Sequence, residues 1–273
     1  MRSLAKLTLE CWTYNRPTYL SALLISLYNQ TFQDWDLTIL EEFDQNYLLE
    51  PLFAGAIRLL RNQGHKILFL HPTTYYGCVK AAKRVMSETK TKYAMKLDDD
   101  HVFEKDVLEK LITAMEDDPE IGSIGGMLYT IGRKTIPVNW IPKDFNKWTG
   151  KTGKVWNDYS TFLFKFPEQI VRVHFLRAPL MYNAELLRKT DFIEKYDQLG
   201  YTRSAFRIES EISNTLEQNF GVKTCMHTGA IMWHYGAEGG VRSYNFLDDI
   251  KKDSEVYYSR WSDYHLQKVL LGD

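Results

Sequence analysis

The sequence predicts an α/β fold in which a mostly parallel sheet is flanked by helices. Short apolar runs of strand length alternate with segments of helical periodicity through the first half of the chain. Strands spaced by helices in this way form βαβ units, which build a parallel sheet. The 273 residues are 44% hydrophobic and 25% charged, which is typical of a soluble globular protein. No run approaches the roughly 18 apolar residues that a membrane-spanning helix requires.

The predicted elements follow one another in a regular order. Apolar runs predict strands at residues 7–12, 36–40, 66–70 and 93–97. The first helix begins at Pro17, which suits a first helical turn, and leucines then recur at positions 20, 23, 24 and 27. Further helices are expected at residues 50–61, 79–87 and 104–117. Ligands of a parallel sheet lie at the carboxyl ends of its strands, so functional residues are expected directly after these strands.

The second half of the chain is less regular. A glycine-interrupted strand, a loop-like segment, mixed strand signals and a helix are expected at residues 120–131, 133–157, 162–180 and 208–219. The sequence contains no internal repeat, low-complexity tract or interdomain linker. It therefore predicts one domain over residues 1–273, with a regular half at about 1–130 and an elaborated half at about 131–273 that ends in a C-terminal loop or helix.

Charge and cysteine content exclude several classes of protein. The 34 Lys and Arg nearly balance the 35 Asp and Glu, so no global attraction to nucleic acid or anionic lipid is expected. Charged residues interrupt the first ten positions, where a signal peptide needs its apolar region. The cysteines are odd in number and lack the spacing of a metal site: Cys11, Cys78 and Cys225. These features predict reduced thiols and a cytoplasmic protein.

Three adjacent carboxylates, Asp98, Asp99 and Asp100, directly follow the apolar strand at 93–97. They repel one another, and their desolvation is costly unless a cation is present. Carboxylate oxygens suit Mg²⁺ or Mn²⁺, which proteins hold with one or two carboxylates plus substrate phosphates. The alternative is a solvated acidic turn before the helix at Glu104. The position at a strand end favours the metal.

Four motifs occur in one order along the chain: WTYNRP at 12–17, LYNQTFQDWDLTILEE at 27–42, GCVKAAKR at 77–84 and YAMKLDDDHVF at 93–103. Together they resemble the nucleotide-sugar-binding half of the family-2 glycosyltransferases, which have the GT-A fold. The resemblance covers about residues 5–130, with weaker similarity to about residue 240. It implies a Rossmann-like sheet with an acceptor-side second half. It also implies transfer of a sugar from a nucleotide-diphospho-sugar, with a UDP-sugar as the expected donor.

The resemblance assigns donor-site roles to particular residues. It places Tyr14 near the nucleobase, within a donor-contacting segment that also includes Thr13, Asn15 and Arg16. Glu42 takes the position of the family carboxylate that contacts the base or ribose, although Glu41-Glu42-Phe43 replaces the usual Asp-Asp-Gly-Ser.

The acidic triplet and the basic helix after it also receive roles. Asp98 matches the first position of the DxD motif, on the sugar or ribose side, and Asp99 lies between it and Asp100. Asp100 matches the metal-binding position, so the resemblance implies a Mn²⁺ or Mg²⁺ ion that bridges the diphosphate. Lys80 and Lys83 either contact the donor or form an exposed helix face.

The segment 207–211, RIESE, resembles the acceptor-side acidic motif of the family. Glu209 aligns with the catalytic base and Glu211 with the following acidic position. On a helix the two side chains point about 200° apart, so at most one faces a given site. Glu209 lies nearer the apolar stripe of the helix, which predicts that it is the more buried of the two. Alternatively, both residues only favour a helix N-terminus.

Two late residues complete the predicted site. The resemblance implies that His234, in WHYGAEGG, joins Asp98 and Asp100 as a metal ligand, with His227 as the alternative. Arg242 follows a glycine-rich stretch and is expected to contact phosphate. The predicted mechanism has Glu209 removing a proton from the acceptor hydroxyl, which attacks the anomeric carbon in line and inverts its configuration.

The acceptor is predicted from residues 133–156, where six Lys and Arg face one Asp. Trp140, Trp148 and Trp156 are interleaved with these charges and suit stacking on sugar rings. A glycan or saccharide acceptor is therefore favoured. Cationic side chains with aromatic platforms also suit a nucleic-acid strand, so a hydroxymethylated base in DNA is the alternative acceptor. A solvated loop, a nucleotidyltransferase and a non-catalytic binding module remain open, and the oligomeric state is not predicted.

Overall fold

The computed structural model describes residues 4–42, 49–130, 168–173, 176, 178–202, 207–235 and 246–271. The strands in these ranges join one nine-stranded sheet. In chain order they are β1 (Leu7–Thr13), β2 (Trp35–Glu41), β3 (Ile67–Leu70), β4 (Tyr93–Leu97), β5 (His101–Phe103), β6 (Ile121–Thr130), β7 (Ile170–Arg172), β8 (Leu180–Asn183) and β9 (Lys223–His234).

Helices connect these strands. The described helices are α1 (Pro17–Tyr28), α2 (Pro51–Asn62), α3 (Gly77–Glu88), α4 (Val107–Asp117), α5 (Ala184–Leu187), α6 (Phe192–Lys195), α7 (Ile208–Phe220) and α8 (Phe246–Leu271). The alternation predicted for the first half and the helix predicted at 208–219 are confirmed. Strand β4 has the predicted bounds.

The sheet has a parallel half and a mixed half. Its strand order is β3-β2-β1-β4-β8-β6-β9-β5, with β7 paired to β9. Strands β3, β2, β1 and β4 run parallel, whereas β8 is antiparallel to β4 and β6. The chain moves from β1 to β2 on one side and returns to β4 on the other. This reversal creates a crevice at the carboxyl ends of β1 and β4, where open α/β sheets bind ligands.

Apolar side chains hold helices on both faces of the sheet. One core cluster packs α1, α2 and α4 against one face, with fully buried leucines such as Leu20, Leu60 and Leu111. A second cluster packs α3, α5, α6 and α7 against the other face and includes Met86, Leu187 and Ile212. Burial of this kind contributes about 25 cal/mol per Å² of apolar surface. The sheet between the two layers is therefore a rigid support for residues at its carboxyl edge.

The sequence did not predict β9, and it predicted α8 only as a C-terminal loop or helix without bounds. Strand β9 is buried along most of its length although it contains Thr224, His227 and Thr228, so no apolar alternation marks it. Helix α8 buries a narrow seam that includes Asp253 together with Tyr257 and Trp261. A buried aspartate breaks the apolar stripe by which an amphipathic helix is recognised.

Two further expectations concern membranes and thiols. None of the described helices combines the length and apolar character needed to cross a membrane. Cys11, Cys78 and Cys225 are all free thiols.

Candidate active site

The loop after β1 meets the acidic triplet after β4. Cys11 pairs with Leu97 in the parallel register, which brings the residues that follow them together. The Thr13 hydroxyl donates to Asp99 Oδ2 at 2.7 Å. Arg16 Nη1 donates to Asp99 Oδ1 at 3.0 Å and lies 3.4 Å from Asp100 Oδ2. One hydroxyl at the end of β1 and one guanidinium in the loop after it thus bind two of the three carboxylates.

Asp100 also lies beside two imidazoles. His101 is in β5 and His234 is in β9, and the two are register partners in this antiparallel pair. His234 Nε2 lies 3.3 Å from Asp100 Oδ2, and the two ring centroids are 5.3 Å apart. One ligand atom from each of the three residues falls within 4.8 Å of the other two. This geometry can accept a metal ion, with ligands from the end of β4 and from the β5–β9 pair.

The environment sets the protonation of these groups. Burial would raise the pKa of Asp100, but the hydrogen bond from His234 and the nearby positive charges hold that pKa below its ordinary value. Burial lowers the pKa of His101 to about 4 and raises the pKa of Asp99 to about 6. At neutral pH, Asp100 is therefore an anion and His101 is neutral, the states in which carboxylates and imidazoles ligate metals.

Asp98 is bound differently from Asp100. The Lys96 ammonium forms a short ion pair with Asp98 Oδ1 and lies 2.6 Å from Glu209 Oε1. Asp98 also donates its backbone N–H to His101 Nδ1 at 3.3 Å, so the neutral ring carries its proton on Nε2 in this arrangement, and His101 would have to give up this contact to ligate an ion. The compact group of candidate ligands contains His101 where the sequence prediction had Asp98.

Glu209 and Glu211 project to different sides of α7, as their spacing predicts. Glu209 contacts Lys96, whereas Glu211 accepts from Arg260 Nε at 3.1 Å and from the Tyr201 hydroxyl. The expectation that Glu209 is the more buried is wrong, because Glu211 is 0% exposed and Glu209 is 6% exposed. The physical reason is α8, which covers Glu211 and supplies its cationic partner.

Glu42 and Tyr14 both contact the segment at the start of α3. Glu42 Oε2 accepts from the backbone N–H groups of Tyr76 at 2.9 Å and Gly77 at 3.1 Å, at the start of α3. Gly77 has φ of 69°, a conformation that favours glycine. Tyr14 is exposed and packs edge-on against Tyr75, with 5.5 Å between ring centroids.

The other predicted contacts are dispersed. Lys80 is exposed on α3. Lys83 donates to Asp197 Oδ1 and to the Glu194 carbonyl, each at 2.7 Å, so it holds α3 against α6 and is not part of the carboxylate cluster. His227 lies 3.7 Å from Glu168 and outside the group of candidate ligands.

Asn15 adopts a left-handed conformation with φ of 55°, which turns the chain between Tyr14 and Arg16. Arg242 and the segment 133–156 lie outside the described residues.

Sequence reasoning missed Lys96, His101 and Arg260. The sequence does contain a signal for Lys96, because it is a lone charge inside an apolar strand that directly precedes the triplet. His101 carries another, because it follows Asp100 directly. Arg260 gave no signal, since its partner Glu211 is 49 residues away.

The sequence of the chain matches a known protein family. The model of the family described as glycosyl transferase family 2 matches residues 12–177, which is more than half of the chain. No curated protein matches the chain.

Several solved structures share the fold. The chain is similar to S. aureus TarS 1–349 in complex with UDP-GlcNAc, at 12% identity and a TM-score of 0.62, over 93% of this chain and 66% of that one. It is similar to GalNAc-T7 with UDP, GalNAc and Mn²⁺, at 16% identity and a TM-score of 0.62, over 97% and 50%. It is also similar to the mannosyltransferase PcManGT from Pyrobaculum calidifontis in complex with GDP-Man and Mn²⁺, at 13% identity and a TM-score of 0.56, over 90% and 60%. The chain thus spans just under two thirds of the TarS chain and half of the GalNAc-T7 chain.

Proposed function

The chain belongs to glycosyl transferase family 2 and has the GT-A fold, and we propose that it transfers a sugar from a nucleotide-diphospho-sugar to an acceptor hydroxyl with the help of a divalent metal ion. One observation carries the proposal. The candidate metal ligands Asp100, His101 and His234 lie at the switch point of the sheet. The candidate base Glu209 is linked to the same edge of the sheet by its ion pair with Lys96.

The residues fit a divalent ion. One carboxylate and two imidazoles are a mixed oxygen and nitrogen set that suits Mn²⁺, and few protein ligands leave positions for substrate phosphates. A bound ion would act as a Lewis acid that neutralises charge on the departing nucleoside diphosphate. Asp100 and the two histidines would hold it, while Arg16 and Thr13 fix Asp99 beside them.

A UDP-sugar is the proposed donor. The TarS and GalNAc-T7 complexes contain UDP or UDP-GlcNAc, whereas the PcManGT complex contains GDP-Man. Tyr14 and Tyr75 offer exposed rings for a nucleobase. Glu42 holds the start of α3 next to that position, and its pKa is raised by burial.

Glu209 is the proposed general base. Its carboxylate takes the proton as the acceptor O–H bond breaks, and the acceptor oxygen bonds to the anomeric carbon. The bond from that carbon to the diphosphate breaks at the same time, and its electron pair leaves with the nucleoside diphosphate. Attack from the face opposite the leaving group inverts the anomeric configuration. Glu211 stabilises the α7–α8 contact and takes no part in this step.

A glycan or saccharide is the proposed acceptor. The specific alternative is a hydroxymethylated base in DNA, which the positive charge of residues 133–156 favours. Phosphate contacts make affinity fall steeply between about 50 and 200 mM salt. Hydroxymethylated duplex DNA that neither accepts sugar nor binds in a salt-sensitive manner would exclude this alternative.

Incubation with a panel of UDP- and GDP-sugars, Mn²⁺ and candidate saccharides tests the proposal. We expect release of free nucleoside diphosphate together with a glycosylated acceptor. Glu209→Gln is the matched control, because it retains the donor site and loses the base. Pyrophosphate as the product would indicate nucleotidyl transfer instead. Binding of nucleotide with neither product would indicate a binding module.

A further inference from the structure

Lys96 is a buried charge at the centre of the molecule. It lies within β4, between Glu10 of β1 and Leu180 of β8 in the sheet register, and is 5% exposed. A lysine is rarely buried to this extent unless it is paired. An apolar residue of similar size would pack at this position with less desolvation cost. Packing alone therefore does not account for a lysine at this position.

The contacts of the Lys96 ammonium lie on two sides of the crevice. It forms ion pairs with Asp98, in the loop after β4, and with Glu209, at the start of α7. It also lies 5.1 Å from the centroid of the Trp12 ring, at the end of β1. Glu10 is its neighbour in the register, but the ammonium extends toward the carboxyl end of the sheet instead. One positive charge thus joins three elements that converge on the proposed reaction centre.

The proposed function, on which this inference rests, gives the two carboxylates different tasks. Asp98 belongs to the donor side and Glu209 to the acceptor side. Without a cation between them the two anions repel each other, and Glu209 loses its fixed direction. An ammonium is a compact charge with three donors, so it can bind both carboxylates at once.

We propose that Lys96 is a positioning residue that holds the Glu209 carboxylate in place against the donor-side Asp98, so that the base is aimed at the acceptor hydroxyl. Lys96 acts through Glu209 and does not touch the reacting atoms. Its loss should therefore reduce the chemical step and leave donor binding largely unchanged. A merely structural lysine would affect folding and binding together.

The first test compares Lys96→Met with Lys92→Met. Lys92 directly precedes the same strand, is exposed, and lies 4.7 Å from the Tyr93 ring centroid. We expect Lys96→Met to lower kcat by about 100-fold, in the range for loss of general-base catalysis. The Kd of UDP with Mn²⁺, measured by calorimetry, should change by less than about 3-fold. Lys92→Met should leave both quantities unchanged.

A double-mutant cycle with Glu209→Gln identifies the route of the effect. When the base is already absent, adding Lys96→Met should lower kcat by less than about 3-fold further. Losses that multiply in full would overturn the inference. A fall in UDP affinity large enough to account for the lost activity would also overturn it.

Lys96→Arg covers the possibility that Lys96→Met does not fold. Arginine keeps the charge, but its planar fork cannot reproduce a compact ammonium between two carboxylates. We expect a thermal midpoint close to wild type and a kcat reduced by about 10-fold. A folded Lys96→Arg variant with wild-type kcat would overturn this inference and leave the proposed function unaffected. Absence of transfer by the wild-type chain across the donor panel would contradict the proposed function and overturn this inference with it.

Discussion

A buried carboxyl within β1 and the carboxylates that follow β4 lie on neighbouring strands of one sheet, and the chain satisfies them by different means. Glu10, in the middle of β1, accepts from the Thr89 hydroxyl at 2.5 Å and the Tyr182 hydroxyl at 2.7 Å. Burial raises the pKa of Glu10 to about 7. Asp98 and Asp100, after β4, are instead paired with cations and imidazoles and have pKa values below the ordinary range.

The difference separates a carboxyl that the fold alone accounts for from the carboxylates of the candidate site. Hydroxyl groups satisfy Glu10 whether it is neutral or ionised, so its position in the sheet interior requires no ligand. Asp98 and Asp100 at the end of β4 are kept ionised by Arg16, Lys96 and His234, whereas burial raises the pKa of Asp99 to about 6. Ionisable groups with shifted pKa values at the carboxyl edge of a sheet are candidates for binding a cation and its associated phosphate.

Asp100→Ala should abolish the proposed reaction, with kcat lowered by about 1,000-fold or more because the metal loses its central ligand. Binding of UDP should no longer be strengthened by Mn²⁺, as measured by calorimetry. The metal-free chain should still fold, since the substitution removes a carboxylate from a crowded acidic cluster. Asp191→Ala is the matched control, because Asp191 is exposed and pairs with Lys195. Full activity of the wild-type chain in excess chelator would contradict the prediction.

Glu209→Gln should lower kcat by about 100-fold while the Kd for the donor nucleotide stays near wild type, because a general base is lost without loss of a donor contact. Steady-state kinetics and calorimetry measure the two quantities.

Glu211→Gln tests the other carboxylate of α7. It leaves Arg260 beside a neutral amide, so the variant should lose thermal stability, with a smaller effect on kcat. Reversed effects of the two substitutions would assign the base to Glu211.

Strands β1 to β4 could be predicted because each contains an apolar run, and helices α1 to α4 because each has an apolar face, whereas the three-residue strand β5 was not predicted. The bounds of β4 follow from the run YAMKL, which is apolar except for Lys96 and ends at the charged triplet. The position of the triplet at a strand end then located the site. Local sequence was sufficient here because β1 and β4 pair in simple parallel register. The residues that follow this pairing, such as Thr13 and Asp99, therefore lie side by side.

The rest depends on contacts between distant segments. His101 meets His234 only because β5 pairs with β9, and β9 has no apolar alternation that would reveal it. Glu211 is fully buried because α8 returns to cover α7, and the buried seam of α8 contains a charged residue, Asp253. Periodicity within a segment gives the faces of that segment, but it does not give the partner that covers them.

The smallest predicted effect concerns Glu10 and is measured in stability. Its pKa is about 7 in the folded chain and 4.5 for an ordinary glutamate, so the folded state binds the proton more tightly than the unfolded state. This contribution is fully present below about pH 4.5 and is lost as the pH rises through about 7. Between pH 5 and 8 the loss corresponds to about 2 kcal/mol of unfolding free energy. Glu10→Gln imitates the neutral acid and should lack this loss.

Denaturant unfolding of wild type and Glu10→Gln at pH 5 and pH 8 measures the contribution. All other titratable groups are present in both chains, so their effects cancel in the difference between the two pH dependences. The variant should therefore gain stability relative to wild type as the pH rises. Glu185→Gln is the control, since Glu185 is exposed and pairs with Lys189, and its pH dependence should match wild type. Parallel pH dependences of wild type and Glu10→Gln would mean that Glu10 is ionised in the folded chain, which would remove the contrast between the sheet interior and its carboxyl edge.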